Sequence, residues 1–208
     1  MSGRRSDKSG DNSGDEIAAA AARLVVEEGM EYGPAKRKAA RDLGRRTGRA
    51  GALPANEVVE DEVRDYIALF CADTQPAELR ALREVALLWM QRLAAFRPHL
   101  SGAVWRGTAT RLSAVHLDLY CDDPKTAEIT VINAGIDYDS AQIDRAGAEP
   151  VNVLVVASRS AALNDMVTVQ LALYDLDDQR GALKADARGR SWRGDMAALQ
   201  RLLAEDAA

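Results

Sequence analysis

The segment Val115–Cys121 constrains the fold of this chain most, because apolar and polar residues alternate along it with period two. Such alternation is typical of a β-strand that buries one face and leaves the other open. Successive side chains on one face of a strand stand about 7 Å apart, and on the open face here they are His116, Asp118 and Tyr120. The segment therefore predicts a sheet that presents an ionisable row on its open face.

An apolar run before this strand ends in a glycine turn, Gly107-Thr108, and a short polar connection leads from it to Val115. This order of elements resembles the nucleotidyltransferases of the polymerase-beta superfamily, in which a strand, a Gly-Ser or Gly-Gly turn and a short helix precede a second strand. Gly107-Thr108 is similar to that turn, and Arg111 and Ser113 lie where such proteins often have an arginine and a serine. The resemblance implies a domain that binds the phosphates of a nucleoside triphosphate through these four residues.

The second strand departs from the pattern of that superfamily. In the closest register, residues 113–117 read Ser-Ala-Val-His-Leu where the superfamily has Ser-Asp-hydrophobic-Asp-hydrophobic, so both metal-binding carboxylates are replaced. A register two residues further makes His116 and Asp118 the catalytic pair, with Asp118 as a ligand of Mg²⁺. The resemblance also implies a third carboxylate on a late strand, where Gln170 stands. A glutamine is a weaker Mg²⁺ ligand than a carboxylate, so transferase activity is left open.

The chain also resembles a group of small bacterial proteins that are sometimes labelled UDP-N-acetylmuramate–alanine ligase. Such a ligase needs a glycine-rich loop that ends in Gly-Lys-Ser or Gly-Lys-Thr, since backbone N–H groups and the lysine hold the ATP phosphates. The sequence contains neither tripeptide, and its 208 residues are too few for the three domains of such ligases. The residues therefore favour the nucleotidyltransferase resemblance over the ligase label.

The composition is that of a globular protein, with 47% hydrophobic and 28% charged residues and a net charge of -5. These values allow a buried core, and the acidic balance argues against a protein that coats nucleic acid. Neither an apolar stretch of about 20 residues nor a signal peptide is present. Cys71 and Cys121 form no CxxC pair and are expected to be reduced and buried. We therefore expect a cytoplasmic protein with no membrane partner.

The N-terminal part of the chain predicts a disordered tail followed by helices. Residues 1–14 carry Ser, Gly, Asp and basic side chains, and too few apolar ones to offset the chain entropy lost on folding. Residues 15–98 predict a helical region, because apolar side chains recur at helical spacing. Acidic residues, prolines or a capping asparagine indicate helix starts at Asp15, Pro34, Asn56 and Pro76.

Residues 99–208 predict an α/β domain. The sequence Asp122-Asp123-Pro124 is typical of a helix start, and we predict a short helix over 125–133, although the β-branched residues there favour a strand. Alternating or β-branched runs predict further strands at residues 136–139, 151–157 and 167–174. A last helix follows Asp195. The expected fold class is α+β: N-terminal helices, then a mixed, nucleotidyltransferase-like sheet of about five strands with a C-terminal helix.

A basic stretch lies between residues 34 and 50, where seven basic residues stand against one acidic residue. One interpretation is a surface that docks a protein, RNA or DNA partner through Lys36, Arg37 and Arg41. The other is a solvated face whose charges pair with the acidic residues of the next helix. Because no aromatic residue is interleaved to stack on bases, the sequence leaves both interpretations open.

Two functions from different classes follow. In the first, the nucleotidyltransferase-like domain binds a nucleotide at Gly107-Thr108 and has weak or altered transferase activity at His116 and Asp118, with Mg²⁺ as cofactor. In the second, the same fold is catalytically inactive and regulates or binds a protein or RNA partner through residues 34–49. The missing carboxylates favour the second function, whereas the glycine turn favours the first.

Overall fold

The computed structural model has an α+β fold. The residues it describes are 8–45, 53–145, 149–180, 184–186 and 188–206. Contacts between residues divide the chain into two compact units, Met1–Gln75 and Pro76–Ala208. The described part of the first unit is helical, and the second unit contains a mixed sheet with helices. None of the described helices is long and apolar enough to span a membrane.

Three helices form the described part of the first unit: α1 (Lys8–Glu28), α2 (Tyr32–Asp42) and α3 (Asn56–Phe70). Their shared core is rich in alanine, and such small side chains let helices pack at short interaxial distances. Ile17, Ala21 and Val25 lie in this core, as the predicted helical stripe requires. Gly44 follows α2 with a φ of 66°, which is typical of the glycine after a helix end.

Helix α1 begins at Lys8, before the start that was predicted at Asp15. The tail expected to be disordered, residues 1–14, therefore overlaps α1 from Lys8 onwards, and residues 1–7 lie outside the described part of the chain. A helix that is nucleated on a buried stripe extends readily, because each added residue gains one backbone hydrogen bond. The alanine-rich stripe that starts at Ile17 supplies that nucleus.

The second unit combines a six-stranded sheet with helices. The helices are α4 (Gln75–Arg92), which begins at the unit boundary, α5 (Gly102–Arg106), α6 (Pro124–Asn133) and α7 (Met196–Glu205). The strands are β1 (His99–Ser101), β2 (Val115–Cys121), β3 (Asp139–Ile143), β4 (Val151–Ser160), β5 (Asp165–Asp175) and β6 (Arg193–Gly194). Their order in the sheet is β3-β4-β5-β2-β1-β6, with β2 and β5 parallel and the other neighbours antiparallel.

One face of the sheet carries the core of the second unit. Leu117 and Leu119 of β2 are fully buried there, and α4 contributes Trp89 and Met90 to the same cluster. Burial of each such side chain stabilises the fold by roughly 1.5–3 kcal/mol relative to exposure. The opposite face of β2 is the one that carries the polar row.

Helix α4 packs on the sheet in the second unit, whereas the sequence suggested one helical region over residues 15–98. The boundary between the two compact units lies between Gln75 and Pro76. The cause is the broad apolar stripe of α4, since its buried apolar side chains between Leu79 and Met90 join the core beneath the sheet.

The predicted α+β class with a C-terminal helix is confirmed, although individual elements differ from the prediction, among them β3, which begins where the strand predicted over 136–139 ends. Strand β2 has the predicted bounds, and α6 confirms the helix predicted over 125–133, because Asp123 caps it and Pro124 fills its first position. The resemblance implied a strand before Gly107, but the apolar run there is helix α5. The described residues form six strands rather than about five, because β1 and β6 are only three and two residues long.

Candidate functional site

The face of the sheet opposite the main core brings together polar residues from three strands, but it is not open along β2 as predicted, because Asp118 and Tyr120 are only 5% and 2% exposed. His116 of β2 lies beside Gln170 of β5 in the parallel register, and Ser101 of β1 lies on its other side. Paired residues of neighbouring strands point to the same face, so these side chains form one row. His116 and Gln170 are both half-buried. The structure thus places the predicted catalytic His116 next to the predicted third-strand position.

The turn that faces His116 is Ser101-Gly102, which the sequence reasoning missed. Gly102 has a φ of 68°, and a Cβ added there would lie 3.1 Å from the His116 ring. Glycine tolerates both the left-handed φ and this close approach. Strand β1, this turn, the short helix α5 and strand β2 follow one another in the order that the nucleotidyltransferase resemblance implied, but the turn lies before α5 rather than at Gly107-Thr108 and reads Ser-Gly instead of Gly-Ser or Gly-Gly. A Ser-Gly pair directly before a short apolar run was the available signal.

Gly107 and Thr108, which were predicted to hold phosphate, lie at the C-terminal end of α5. Gly107 ends this helix in the left-handed conformation, with a φ of 79°. The Thr108 N–H donates to Ala103 O at 2.9 Å, and the residue is buried. The negative end of a helix dipole lies at its C-terminus, which disfavours an anion there. Both residues are explained as helix-ending groups, and their phosphate-binding role stays a prediction.

Arg111 and Ser113 are engaged in the loop that follows. The Arg111 guanidinium forms an exposed ion pair with Asp165 at 3.2 Å, and its backbone N–H donates to the Glu78 carboxylate at 2.9 Å. The Ser113 hydroxyl accepts from the Thr110 N–H at 3.0 Å. These contacts fix the loop that leads into β2, and the nucleotide-binding role of both residues stays a prediction.

Asp118, which was predicted as a catalytic residue and metal ligand, is paired with an arginine. The residue is 5% exposed, and Arg193 Nε of β6 donates to its Oδ2 in a close ion pair. The Ser101 hydroxyl lies 3.5 Å from the other carboxylate oxygen. Burial acts to lower the pKa of Arg193, but the Asp118 carboxylate outweighs this effect and leaves that pKa raised. Arg193 is therefore a residue of the site that the sequence reasoning did not single out.

The segment that carries Arg193 is anchored on α5. Arg106 of α5 and Asp186 form an ion pair of 3.0 Å whose side chains are only 4% and 3% exposed. The Trp105 Nε1–H donates to Ser191 O at 2.8 Å. These two contacts hold Asp186 and Ser191, just before Arg193 in the chain, against α5, and so limit where Arg193 lies over the sheet.

Aromatic residues continue this face of the sheet beyond Asp118. Tyr120 and Tyr174 stack at a ring-centroid distance of 5.6 Å, and His99 meets Tyr120 edge-on at 5.2 Å. Burial, reinforced by the Asp118 carboxylate, raises the pKa of Tyr120 to about 12. Burial also raises the pKa of Tyr174. Both phenols are therefore neutral at physiological pH and take part in packing rather than in proton transfer.

The donor groups on this face do not fit a Mg²⁺ site. Mg²⁺ requires a near-octahedral set of oxygen ligands, usually with one or two carboxylates. The Asp118 carboxylate is shared with Arg193, and the neighbouring His116 and Gln170 supply no carboxylate. Among the described residues, no group of three or more His, Cys, Asp and Glu side chains is placed to hold a metal ion. The chemistry of these groups thus disagrees with the metal role predicted for Asp118.

Helix α2 carries the predicted partner-binding residues, and they differ in their contacts. Lys36 Nζ donates to Pro54 O at 2.9 Å and to Asn56 Oδ1 at 2.8 Å, and burial lowers the pKa of this lysine. Arg37 is exposed, and the Arg41 side chain is 76% exposed. Lys36 therefore ties α2 to the start of α3, whereas Arg37 and Arg41 face solvent.

Comparisons with known proteins give limited similarity. No protein-family model and no curated protein matches the chain, so the ligase resemblance gains no support. Two solved structures are similar to part of it: Cid1 in complex with the UTP analog UMPNPP, and the Cid1 poly(U) polymerase with MgGTP bound. The first has a TM-score of 0.34 and 12% sequence identity, and the match covers 55% of this chain and 36% of the other. The second has a TM-score of 0.35 and 12% sequence identity, and the match covers 54% of this chain and 38% of the other. This chain thus spans little more than a third of the length of either, and its function has to be inferred from its own residues.

Proposed function

We propose that this protein binds the phosphates of a nucleotide on a nucleotidyltransferase-like sheet and does not transfer a nucleotidyl group. The observation that carries the proposal is the ion pair between Arg193 and Asp118. This pair occupies the one carboxylate that β2 offers within its alternating row. A protein of this kind holds or senses its ligand instead of converting it.

Nucleotidyl transfer depends on clustered carboxylates. They hold Mg²⁺ against the triphosphate, and the metal ions neutralise the charge that develops during transfer. In the sheet, the neighbouring positions on β2 and β5 are taken by His116 and Gln170, and neither is a carboxylate. Asp118, one alternating step further along β2, is neutralised by Arg193. A carboxylate that is already paired, beside neutral side chains that can donate hydrogen bonds, supports contact with phosphate oxygens rather than coordination of a divalent cation.

Melting of the full chain with a panel of nucleoside triphosphates, with and without Mg²⁺, tests the proposal, and pyrophosphate release is followed in the same samples. A ligand at about 100 times its Kd adds roughly 2.7 kcal/mol to the stability of the native state. We expect a stabilisation that does not require Mg²⁺, without release of pyrophosphate. Mg²⁺-dependent release that Asp118→Asn abolishes would reveal a transferase and overturn the proposal. If no triphosphate changes the melting temperature, a nucleotide is excluded as the ligand and the proposal is also overturned.

A macromolecular partner at α2 is the second candidate, and the exposure of Arg37 and Arg41 favours it. Residues four apart on a helix lie on one face, so the two guanidinium groups are presented together. Guanidinium groups bind phosphate in bidentate pairs, which suits the backbone of RNA. Residues 46–49 of the predicted surface lie outside the described part of the chain.

A further inference from the structure

We propose that a basic pocket at one end of the sheet binds the phosphate groups of a small ligand. The pocket has a volume of about 680 Å³, within the range of ordinary ligand sites. Its described lining includes Arg97, His99, Leu176, Gln179, Arg180 and Lys184. The inference rests on the proposed function, because it gives the binding protein a location and a chemical class for its ligand.

The pocket lies beyond the carboxyl ends of the parallel strands β2 and β5. Leu176 follows β5 directly, and the His99 ring contacts Tyr120, next to the last residue of β2. In open α/β sheets, ligands bind in the crevice outside the carboxyl ends of the strands. The Ser101-Gly102 turn faces the other end of β2, so the pocket is separate from the site that the nucleotidyltransferase resemblance implies.

The charge of the lining selects an anion. Arg97, Arg180 and Lys184 are positive and Asp177 is negative, so the described lining carries a net charge of +2 with His99 neutral. This sign is opposite to that of the whole chain, whose net charge is -5. A cleft whose lining has an excess of one sign of charge raises the local concentration of counter-ions. Because arginine binds phosphate in bidentate pairs and lysine binds it as a point charge, the lining fits phosphate groups.

The cations of the pocket are available to a ligand. Arg180 approaches Asp177 only to 3.9 Å, and the two side chains are 89% and 87% exposed, so this pair is loose. Lys184 forms no hydrogen bond or ion pair with any described residue. Arg97 is exposed and donates to Gln179 Oε1 at 3.1 Å, which ties its guanidinium to the pocket wall. A phosphate ligand can therefore bind these groups without breaking a strong internal ion pair.

His99 adds a buried polar group to the pocket. Its Nδ1 lies 2.8 Å from Arg97 O, and a carbonyl oxygen only accepts, so Nδ1 carries a proton. The residue is 5% exposed, and its Nε2 has no hydrogen bond with any described residue. The ring is held by Arg97 O and by the edge-on contact with Tyr120. In the neutral ring Nε2 is then an acceptor, so it suits an O–H or N–H group of the ligand, while the phosphate oxygens are left to Arg97, Arg180 and Lys184.

Calorimetric titration of the full chain with inorganic pyrophosphate, without added metal, tests the pocket. The variants are Arg180→Glu and Lys184→Glu, both at exposed positions, and the matched control is Arg201→Glu, an exposed arginine on α7. We expect each pocket variant to weaken pyrophosphate binding about tenfold, because reversal of one nearby charge turns an attraction into a repulsion. The control variant should keep the wild-type Kd. A nucleoside triphosphate should compete with pyrophosphate in the wild-type protein.

Equal affinity of the wild type and both pocket variants would overturn the inference, as would failure of the wild type to bind pyrophosphate. Triphosphate binding that neither variant weakens would place the nucleotide elsewhere, and would overturn the inference while the proposed function stands. Mg²⁺-dependent release of pyrophosphate from a triphosphate would instead overturn the proposed function. The metal-free titration does not depend on that result, so the two failures are distinguishable.

Discussion

Arg193 and Asp118 are joined across an intervening strand, since β1 lies in the sheet between β6, which carries the arginine, and β2, which carries the carboxylate. The guanidinium therefore crosses β1 on the face of the sheet opposite the main core. The backbone of Arg193 is itself paired with Ser101 of β1, which limits where the side chain can reach. The ion pair is thus set by sheet register as well as by charge.

Removal of Arg193 alone should destabilise the protein. Arg193→Met leaves the buried Asp118 carboxylate without its cation, and loss of one partner from a buried pair costs about 3–5 kcal/mol. Because the Arg193 side chain is 31% exposed, we expect a loss near the lower end, about 3 kcal/mol in urea unfolding. The double variant Arg193→Met/Asp118→Asn also removes the carboxylate charge and should recover most of the loss. Equal stability of the single and double variants would argue against the pair.

Gly194→Ala should destabilise the second unit for a steric reason. A Cβ built at Gly194 lies 2.1 Å from the Trp105 ring, and the ring is held by its hydrogen bond to Ser191 O. Overpacking of this kind costs about 1–3 kcal/mol. The control is Gly14→Ala in α1, where no atom lies within 4 Å of an added Cβ and a gain of about 0.5–1 kcal/mol is expected. Thermal melting of both variants tests this prediction. An unchanged melting temperature of the Gly194→Ala variant would mean that Trp105 moves aside.

Local signals in the sequence determine a good part of this fold. The period-two alternation gave the bounds of β2, and the cap formed by Asp123 and Pro124 outweighed the β-branched residues of α6. The run after Gly102 was ambiguous, because five residues are too few for a helical period to be recognised. The left-handed conformation of Gly107, which ends this run, is typical of a helix end, but this conformation is visible only in the structure.

The ion pair of the site could not be predicted in the same way. Asp118 and Arg193 are 75 positions apart, and β6 is a two-residue strand without a periodic pattern of its own. The basic pocket has the same difficulty, since Arg97 precedes β1 whereas Arg180 and Lys184 follow β5. Their proximity can be recognised only once the strand order is known, because it follows from the positions of β1 and β5 on either side of β2 in the sheet.

Charge reversal at Arg37 and Arg41 should affect partner binding without affecting the fold. Both residues are exposed, so we expect Arg37→Glu/Arg41→Glu to unfold at the wild-type urea concentration. Affinity for a single-stranded RNA, followed by fluorescence anisotropy, should fall, and the salt slope should drop by about 0.7 for each phosphate that the variant no longer neutralises. Lys36→Met is the contrasting variant, since loss of its hydrogen bonds to Pro54 and Asn56 should lower stability by about 1–2 kcal/mol. If the double charge reversal leaves the RNA affinity unchanged, the basic residues of α2 form only a solvated face.

Alkaline pH should weaken the fold through Tyr120, and the sign follows from the direction of its pKa shift. Burial beside Asp118 raises the pKa of Tyr120 to about 12, against about 10 for an unperturbed tyrosine. Between these values the unfolded state has released the phenol proton and the native state has kept it, so the free energy of unfolding falls as pH rises. The contribution of the Tyr120 proton to the free energy of unfolding is fully present below a pH of about 10 and is lost by a pH of about 12. This contribution is at most about 2.7 kcal/mol. Tyr120→Phe has no such proton, so its urea stability should decline less steeply over this range, and parallel curves for the two proteins would show that Tyr120 titrates normally.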